Sequence, residues 1–322
     1  MSEFELIKKI KKLFGKIPPS VKISIGDDAA AVEEDKLKLY TTDMFIENIH
    51  FKREYMNPSQ IAKKALICSV SDICAMGGVP KYVLLNLALP KEEISFFDVI
   101  LEGIKEFLKD HNLYLLGGDL SSSLKDIFIC VTVIGEVEKN KVIGRRGAKI
   151  GDKIFVTGYL GNSSAGLELL KRGIKINSNL INSHIHPPLR IREAQFIKDY
   201  EFATSMIDIS DGLILDLYFL LCEDNLGAKI YKDKLPISSD LRSLSSFLSK
   251  DIYEYVLYGG EDYELLFTVK KEKYEEFKDI IEKKRKMVAF EIGEIIEEEG
   301  IFLVEKSKIS KILVKGFNHF SD

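Results

Sequence analysis

Acidic residues recur beside glycine, serine and threonine in five short motifs. They are Gly26-Asp27-Asp28, Thr41-Thr42-Asp43, Ser71-Asp72, Gly117-Gly118-Asp119 and Asp208-Ile209-Ser210-Asp211-Gly212. Most stand where an apolar run stops, which places each carboxylate at the end of a buried element. Carboxylates gathered at one place repel one another unless cations sit between them, and oxygen-only ligands suit Mg2+. Aspartates bridged to phosphate by Mg2+ attract and orient a polyphosphate. The chemistry these residues point to is phosphoryl transfer.

The motifs differ in weight. A polar β-turn explains Asp27 and Asp28 as well as a ligand role does. Thr42 and Asp43 end a strand and serve either as ligands or as a local cap. Asp72 lies inside an apolar helix, where a lone charge is expensive unless it is paired or bound to metal. The glycines before Asp119 permit close approach of backbone to phosphate, although glycine turns are common. Ser210 or Asp211 can cap the following helix, whose N-terminus favours anions. A cap leaves Asp208, the one acid of an apolar strand, unexplained.

Arg145, in the Gly144–Gly147 connector, can clamp a phosphate or stand as plain surface. His50 is a substrate contact or a structural histidine. His184 and His186 have the spacing of a metal pair, but no third nitrogen or sulfur ligand is near, so they read as a loop. Gly259-Gly260-Glu261-Asp262 is a second glycine-acid turn, which leads into a strand. There is no GxxxxGK[ST] loop, no GxGxxG after the first strand, and no HRD or DFG signature. A bound ATP therefore has its phosphates neutralised by other means.

The elements that must position these residues alternate between strands and helices. In the first half, strands are expected at 21–25, 37–45, 83–89, 114–116 and 127–137, with helices at 58–76 and 95–109. In the second half, strands are expected at 154–157, 205–209, 228–231, 264–269 and 301–304. Helices are expected there at 163–171, 187–199, 212–223, 238–248 and 272–286. Ile7, Ile10, Leu13 and Phe14 suggest an amphipathic helix before the first strand, with no signal-peptide pattern. The fold class is α/β (α+β) in two domains, 1–138 and 139–322, as expected for 322 residues. The chain is 46% hydrophobic and 30% charged with net charge −4, which argues against a general nucleic-acid binder. Cys68, Cys74, Cys130 and Cys222 form no CxxC pair and read as reduced core residues, consistent with a cytoplasmic protein. No stretch is long and apolar enough to span a membrane.

In this order, the motifs resemble the thiamine-monophosphate kinase family. The resemblance extends to His50, Gly144-Arg145-Arg146-Gly147-Ala148, Gly259 through Leu265 and Lys315 through Phe320. It implies the two-domain fold shared with aminoimidazole ribonucleotide synthetase, in a homodimer whose N-terminal mixed sheets pair into a barrel-like interface. It also implies the reaction of ATP with thiamine monophosphate to give ADP and thiamine diphosphate, with Mg2+ required. By position, Asp27, Thr41, Thr42, Asp43, Asp72, Asp119, Asp208 and Asp211 correspond to the metal set. Gly118, Asp119, Arg145 and Ser210 correspond to nucleotide contacts, and His50, Glu261 and Phe317 to acceptor contacts. Two positions depart from the family. Phe317 stands where a tryptophan is frequent, and Leu101 where a tyrosine often meets adenine, which leaves the adenine contact unassigned.

Direct in-line transfer fits this set, because the acceptor phosphate is already an anionic nucleophile. Other members of the superfamily fit less well. The N-terminal segment lacks the cysteine that selenophosphate synthetase needs, and Phe320-Ser321-Asp322 is not the cysteine ending of the hydrogenase-maturation relative. A non-catalytic binder would not need so many ligands for metal.

Overall fold

One helix fixes the architecture. Asn57 caps it, with its side chain accepting from Gln60 N while the Gln60 side chain accepts from Asn57 N. Pro58 follows as the first helical residue, which suits a position with no intrahelical donor to lose. This helix, α1 (Pro58–Ala75), has thirteen of its eighteen residues buried, so it is covered around most of its circumference. Gly77, with φ +69, ends it, and Gly77 N and Gly78 N donate to the carbonyls of Cys74 and Ile73. A β-carbon on Gly78 would stand 2.3 Å from Leu39 Cδ1.

The computed structural model describes residues 21–23, 27, 30–33, 36–93, 95–174, 178–283 and 287–320. The helix expected at 7–14, Gly26, Asp28 and parts of the elements expected at 21–25 and 272–286 lie outside the described residues. The first sheet contains β1 (Val21–Ile23), β2 (Ala30–Glu33), β3 (Leu37–Ile46), β4 (Val79–Pro90), β5 (Tyr114–Ser123) and β6 (Phe128–Val137). Its order is β1-β2-β3-β6-β4-β5, with β4 and β5 parallel and the other neighbours antiparallel. α1 and α2 (Phe96–His111) cover one face, and the opposite face exposes Met44, Tyr82 and Leu84. Ile100, Ile104, Phe107 and Leu108 form the buried stripe of α2.

The second sheet contains β7 (Lys153–Thr157), β8 (Ala203–Asp208), β9 (Gly227–Tyr231), β10 (Leu265–Val269), β11 (Ala289–Ile296), β12 (Gly300–Glu305) and β13 (Lys308–Lys311). Its order is β13-β12-β9-β11-β7-β10-β8, and only β9 and β12 pair in parallel. The helices here are α3 (Asn162–Lys171), α4 (Asn179–Ile185), α5 (Ile191–Asp199), α6 (Leu213–Leu221), α7 (Ser239–Ser243), α8 (Ile252–Tyr258) and α9 (Tyr274–Glu282). Both faces of this sheet are buried. Phe155, Met206 and Phe267 join the core around α1, while Ile154, Val156 and Ile207 join Leu213, Leu217 and Val256. The mixed two-domain α/β architecture expected from the sequence is present.

Several boundaries differ from expectation for local reasons. β5 does not stop at Leu116 but continues through Gly117, Gly118 and Asp119 to Ser123. The glycines allow this close pairing, since a β-carbon on Gly118 would lie 1.7 Å from Leu85 O. Pro187 and Pro188 delay α5 to Ile191. The helix expected at 238–248 breaks into α7 and a 3-10 turn at Ser245–Phe247. α4 and α8 are seven residues each, too short for periodicity to reveal.

The packing of α1 on α2 depends on Gly103, where a β-carbon would meet Ser59 Oγ at 2.7 Å and Ser59 O at 2.8 Å. Gly103→Ala is expected to destabilise the fold by about 1–3 kcal/mol. Chemical denaturation measures this, and an unchanged midpoint would mean that the two helices separate without penalty.

Candidate active site

Ser71 and Asp72 are adjacent on α1 and face different neighbours. Ser71 Oγ donates to Asp208 Oδ2 at 2.5 Å, and Thr41 Oγ1 on β3 donates to Asp72 Oδ2 at 2.5 Å. Asp208 is the last residue of β8 and is 2% exposed. The chain then turns through Ser210 and Asp211 to Gly212, whose φ of +122 suits glycine, before α6 begins. Asp216, in the first turn of α6, accepts from Asp211 N at 3.1 Å and Gly212 N at 3.0 Å. Burial, then the charges of Asp211 and Asp208, push the Asp216 carboxyl well above the usual carboxylate range.

A second loop lies alongside this turn. Glu261 N donates to Ser210 O at 2.7 Å, Tyr263 N to Ile209 O at 2.9 Å, and Ile209 N to Glu264 O at 2.8 Å. Gly260 makes the approach possible, since a β-carbon there would stand 2.4 Å from Ser210 O. The Glu261 carboxylate meets Lys64 Nζ at 3.0 Å and His184 Nδ1 at 3.3 Å. Burial alone would raise the Glu261 pKa, but Lys64, His184 and His50 outweigh it and hold the carboxyl below its ordinary range.

The C-terminal tail closes the third side. Phe317 N donates to Asp211 O at 3.0 Å, and the Phe317 ring meets His319 edge-on at 4.7 Å. His319 in turn lies 5.1 Å from the His50 ring. Ile46 N donates to His50 Nδ1 at 3.0 Å, so a neutral His50 carries its proton on Nε2. Burial, then His319, lower the His50 pKa. Glu261, His50, His319 and Phe317 thus lie near one another.

The remaining residues are placed as follows. Asp27 meets Arg145, whose backbone N donates to Asp27 Oδ2 at 3.4 Å and whose Nε lies 4.0 Å from Asp27 Oδ1. Leu101 is exposed on α2. Thr42 bonds Thr132 Oγ1 at 2.9 Å on the exposed face of the first sheet. Asp119 is on that face too. Residues paired across strands point the same way. Met44, Cys130, Asn86 and Asp119 are paired in succession, and so are Asp43, Val131, Leu85 and Gly118. Val131 and Leu85 are buried toward α1, so Asp43 faces the helix while Asp119 faces away from it. One chain therefore does not bring Asp43 and Asp119 together. Among the described residues, no three carboxylates, imidazoles or thiols converge into a ready-made metal cage.

Sequence reasoning gave no role to Asp216, Lys64, His184 or His319. The signal that marked Asp72, a charge within the apolar run of α1, applied equally to Lys64. His184 is not in a loop but in the last turn of α4, fully buried.

The fold defines a class. The chain matches the AIR synthase related protein N-terminal domain over residues 26–137 and the corresponding C-terminal domain over residues 149–306. The E. coli hydrogenase maturation protein HypE superposes with TM-score 0.73, at 17% identity over 98% of this chain and 99% of that chain, a likeness of fold alone. The thiamine-monophosphate kinase of Aquifex aeolicus is 39% identical, covering 99% of this chain and 98% of the relative. That of Bacillus subtilis is 34% identical, covering 99% and 100%. A solved structure of AaThiL complexed with AMPPCP and TMP superposes with TM-score 0.86, at 38% identity over 99% of this chain and 97% of that chain. The chain belongs to the thiamine-monophosphate kinase family.

Asp262, beside Glu261, accepts from Gly161 N at 2.6 Å and Ser163 N at 3.2 Å, and burial pushes its carboxyl up to about 8. The unfolded value is about 4, so between those limits only the folded state holds the proton. The contribution of Asp262 to stability is full below the unfolded pKa and is lost as pH rises through the folded one. Asp262→Asn is expected to flatten the fall in melting temperature between mildly acidic and mildly alkaline pH. An identical slope in both proteins would contradict this.

Proposed function

We propose that the chain transfers the γ-phosphoryl group of ATP to the phosphate of thiamine monophosphate, giving ADP and thiamine diphosphate. The observation that carries the reading is the joining of two ends of a site on α1. Asp72 and Asp208 lie at one end, and Glu261, with His50 and Phe317 around it, at the other. The AMPPCP and TMP of the solved relative supply the ligand classes.

Asp27, Thr41, Thr42, Asp43, Asp72, Asp119, Asp208 and Asp211 would hold Mg2+. The donors fit it, being oxygen-only and crowded enough for Asp208 and Asp211 to oppose ionisation of Asp216. Bound Mg2+ neutralises phosphate charge and orients the phosphate oxygens. The chain itself binds and aligns. Arg145, Ser210, Gly118 and Asp119 contact the nucleotide, and the N-terminus of α6 favours an anion. His50 donates from Nε2, Glu261 accepts, and Phe317 stacks on the acceptor ring. The acceptor phosphate attacks in line, with no phosphorylated side chain. Residues 1–138 act as the nucleotide and metal domain, and 139–322 supply acceptor and metal residues.

A second copy of the chain is the partner we assign to the exposed face of the first sheet. Met44, Tyr82, Leu84, Tyr114, Leu115, Leu116 and Leu120 are exposed there and along the β5 edge, an apolar surface that a second copy would cover. Gly118 and Asp119 lie on the same strand, so they act on a site completed between copies.

The first test is ADP and thiamine diphosphate formation from ATP and thiamine monophosphate, with and without Mg2+ and beside free thiamine. Mg2+-dependent product from the monophosphate alone is expected, and ATP turnover without thiamine diphosphate would overturn the acceptor assignment. Asp43→Ala and Asp208→Ala are each expected to cut turnover roughly a hundredfold or more without unfolding the protein.

Mixing Asp43→Ala with Asp119→Ala tests the shared site. After subunit exchange, about a quarter of wild-type activity is expected, from one intact site in each mixed dimer. No recovery despite verified exchange would place both residues in one chain's site.

A further inference from the structure

Lys64 is fully buried on α1, where an unpaired ammonium is costly. Its Nζ lies 3.0 Å from Glu261 Oε1, 3.3 Å from His184 Nε2 and 3.4 Å from His184 Nδ1. His184 is also fully buried, and its Nδ1 lies 3.3 Å from Glu261 Oε2 and 3.2 Å from Ser163 Oγ. With its proton on Nδ1, His184 donates to Glu261 while Nε2 accepts from Lys64. Both carboxylate oxygens are therefore gripped from the protein side. Glu261 is the member of the trio that keeps an exposed surface, 26% of its side chain. Its φ of +63 is strained for a residue with a β-carbon, and the two contacts help to hold it there.

We propose that Lys64 and His184 are positioning residues that aim the Glu261 carboxylate into the acceptor pocket, and so set affinity for thiamine monophosphate rather than for ATP. The proposal rests on the reading of Glu261 as an acceptor contact. A carboxylate presented in this way suits the cationic thiazolium and amino-pyrimidine of the acceptor. Burial, then the Lys64 ammonium, push the His184 pKa down to about 3, so the pair holds Glu261 through one fixed cation and one neutral imidazole.

Lys64→Met is expected to raise KM for thiamine monophosphate roughly tenfold or more at pH 8, with KM for ATP nearly unchanged. The groups facing His184 and Glu261 are Lys64 and Cys68 of α1, Lys171 and Ser163 of α3, and His50 and Tyr55 after β3. A purely structural role would raise both KM values. Glu261→Gln separates the two readings. If it leaves acceptor KM unchanged, the acceptor role of Glu261 fails, and the positioning proposal with it. If it raises acceptor KM while Lys64→Met does not, the positioning proposal alone fails. Should Lys64→Met not fold, the double variant Lys64→Met/Glu261→Gln buries no lone charge, and its acceptor KM should equal that of Glu261→Gln. A further rise would overturn the proposal.

Discussion

The structure depends on a helix that is buried on nearly all sides and yet carries polar groups. Burial of α1 joins the first sheet to β8, α4 and α5, and it leaves Lys64 and Ser71 cut off from bulk water and Asp72 half-buried. Each polar group must be satisfied or the helix is destabilised. The partners come from separate parts of the chain: Glu261 and His184 for Lys64, Asp208 for Ser71, and Thr41 for Asp72. Satisfying one helix therefore assembles residues that are distant in sequence. Lys64 and Ser71 are seven residues apart, two turns on one face, which separates them by about 10 Å along the axis. The helix acts as a spacer between the Glu261 end of the site and the acidic end.

The two loops of the second domain hold each other by main-chain hydrogen bonds. Gly260 lets Glu261 N reach Ser210 O, and Ile209 is bonded on both sides by the 263–264 backbone. The same turn is gripped from beneath by Asp216 and from the tail by Phe317 N. Displacing Asp211 would thus disturb the Phe317 backbone as well as an acid. Such mutual bracing is what holds like-charged carboxylates in place, since their own repulsion favours dispersal.

Much of this was legible in the chain. The acidic motifs sit at strand ends or within an apolar helix, so burial alone marked Asp72 and Asp208 as needing partners. The α/β alternation was readable because the apolar runs of the long elements keep the period of their own structure. What escaped notice was set by tertiary contact. Asp216 reads as an ordinary first-turn acid of a helix until its donors, the Asp211 and Gly212 amides, are seen. His184 reads as a loop residue because its helix is only seven residues long. The extension of β5 through two glycines ran against strand propensity, and the close parallel approach to Leu85 decided it.

The pleat of the first sheet imposes the last constraint. A strand residue cannot change face without a shift in register, and β3 pairs with β6 continuously over its whole length. Asp43 is thereby committed to the side of α1, and Thr42 to the side away from it. From β6 through β4 to β5, pairing carries the same division to Asp119. A single chain thus divides its acids between two faces of one sheet. The face that bears Asp119 is also the one that leaves Met44, Tyr82 and Leu84 exposed. The exposed apolar residues and Asp119 thus lie on the same side of the sheet, so a second copy seated there would cover the one and meet the other.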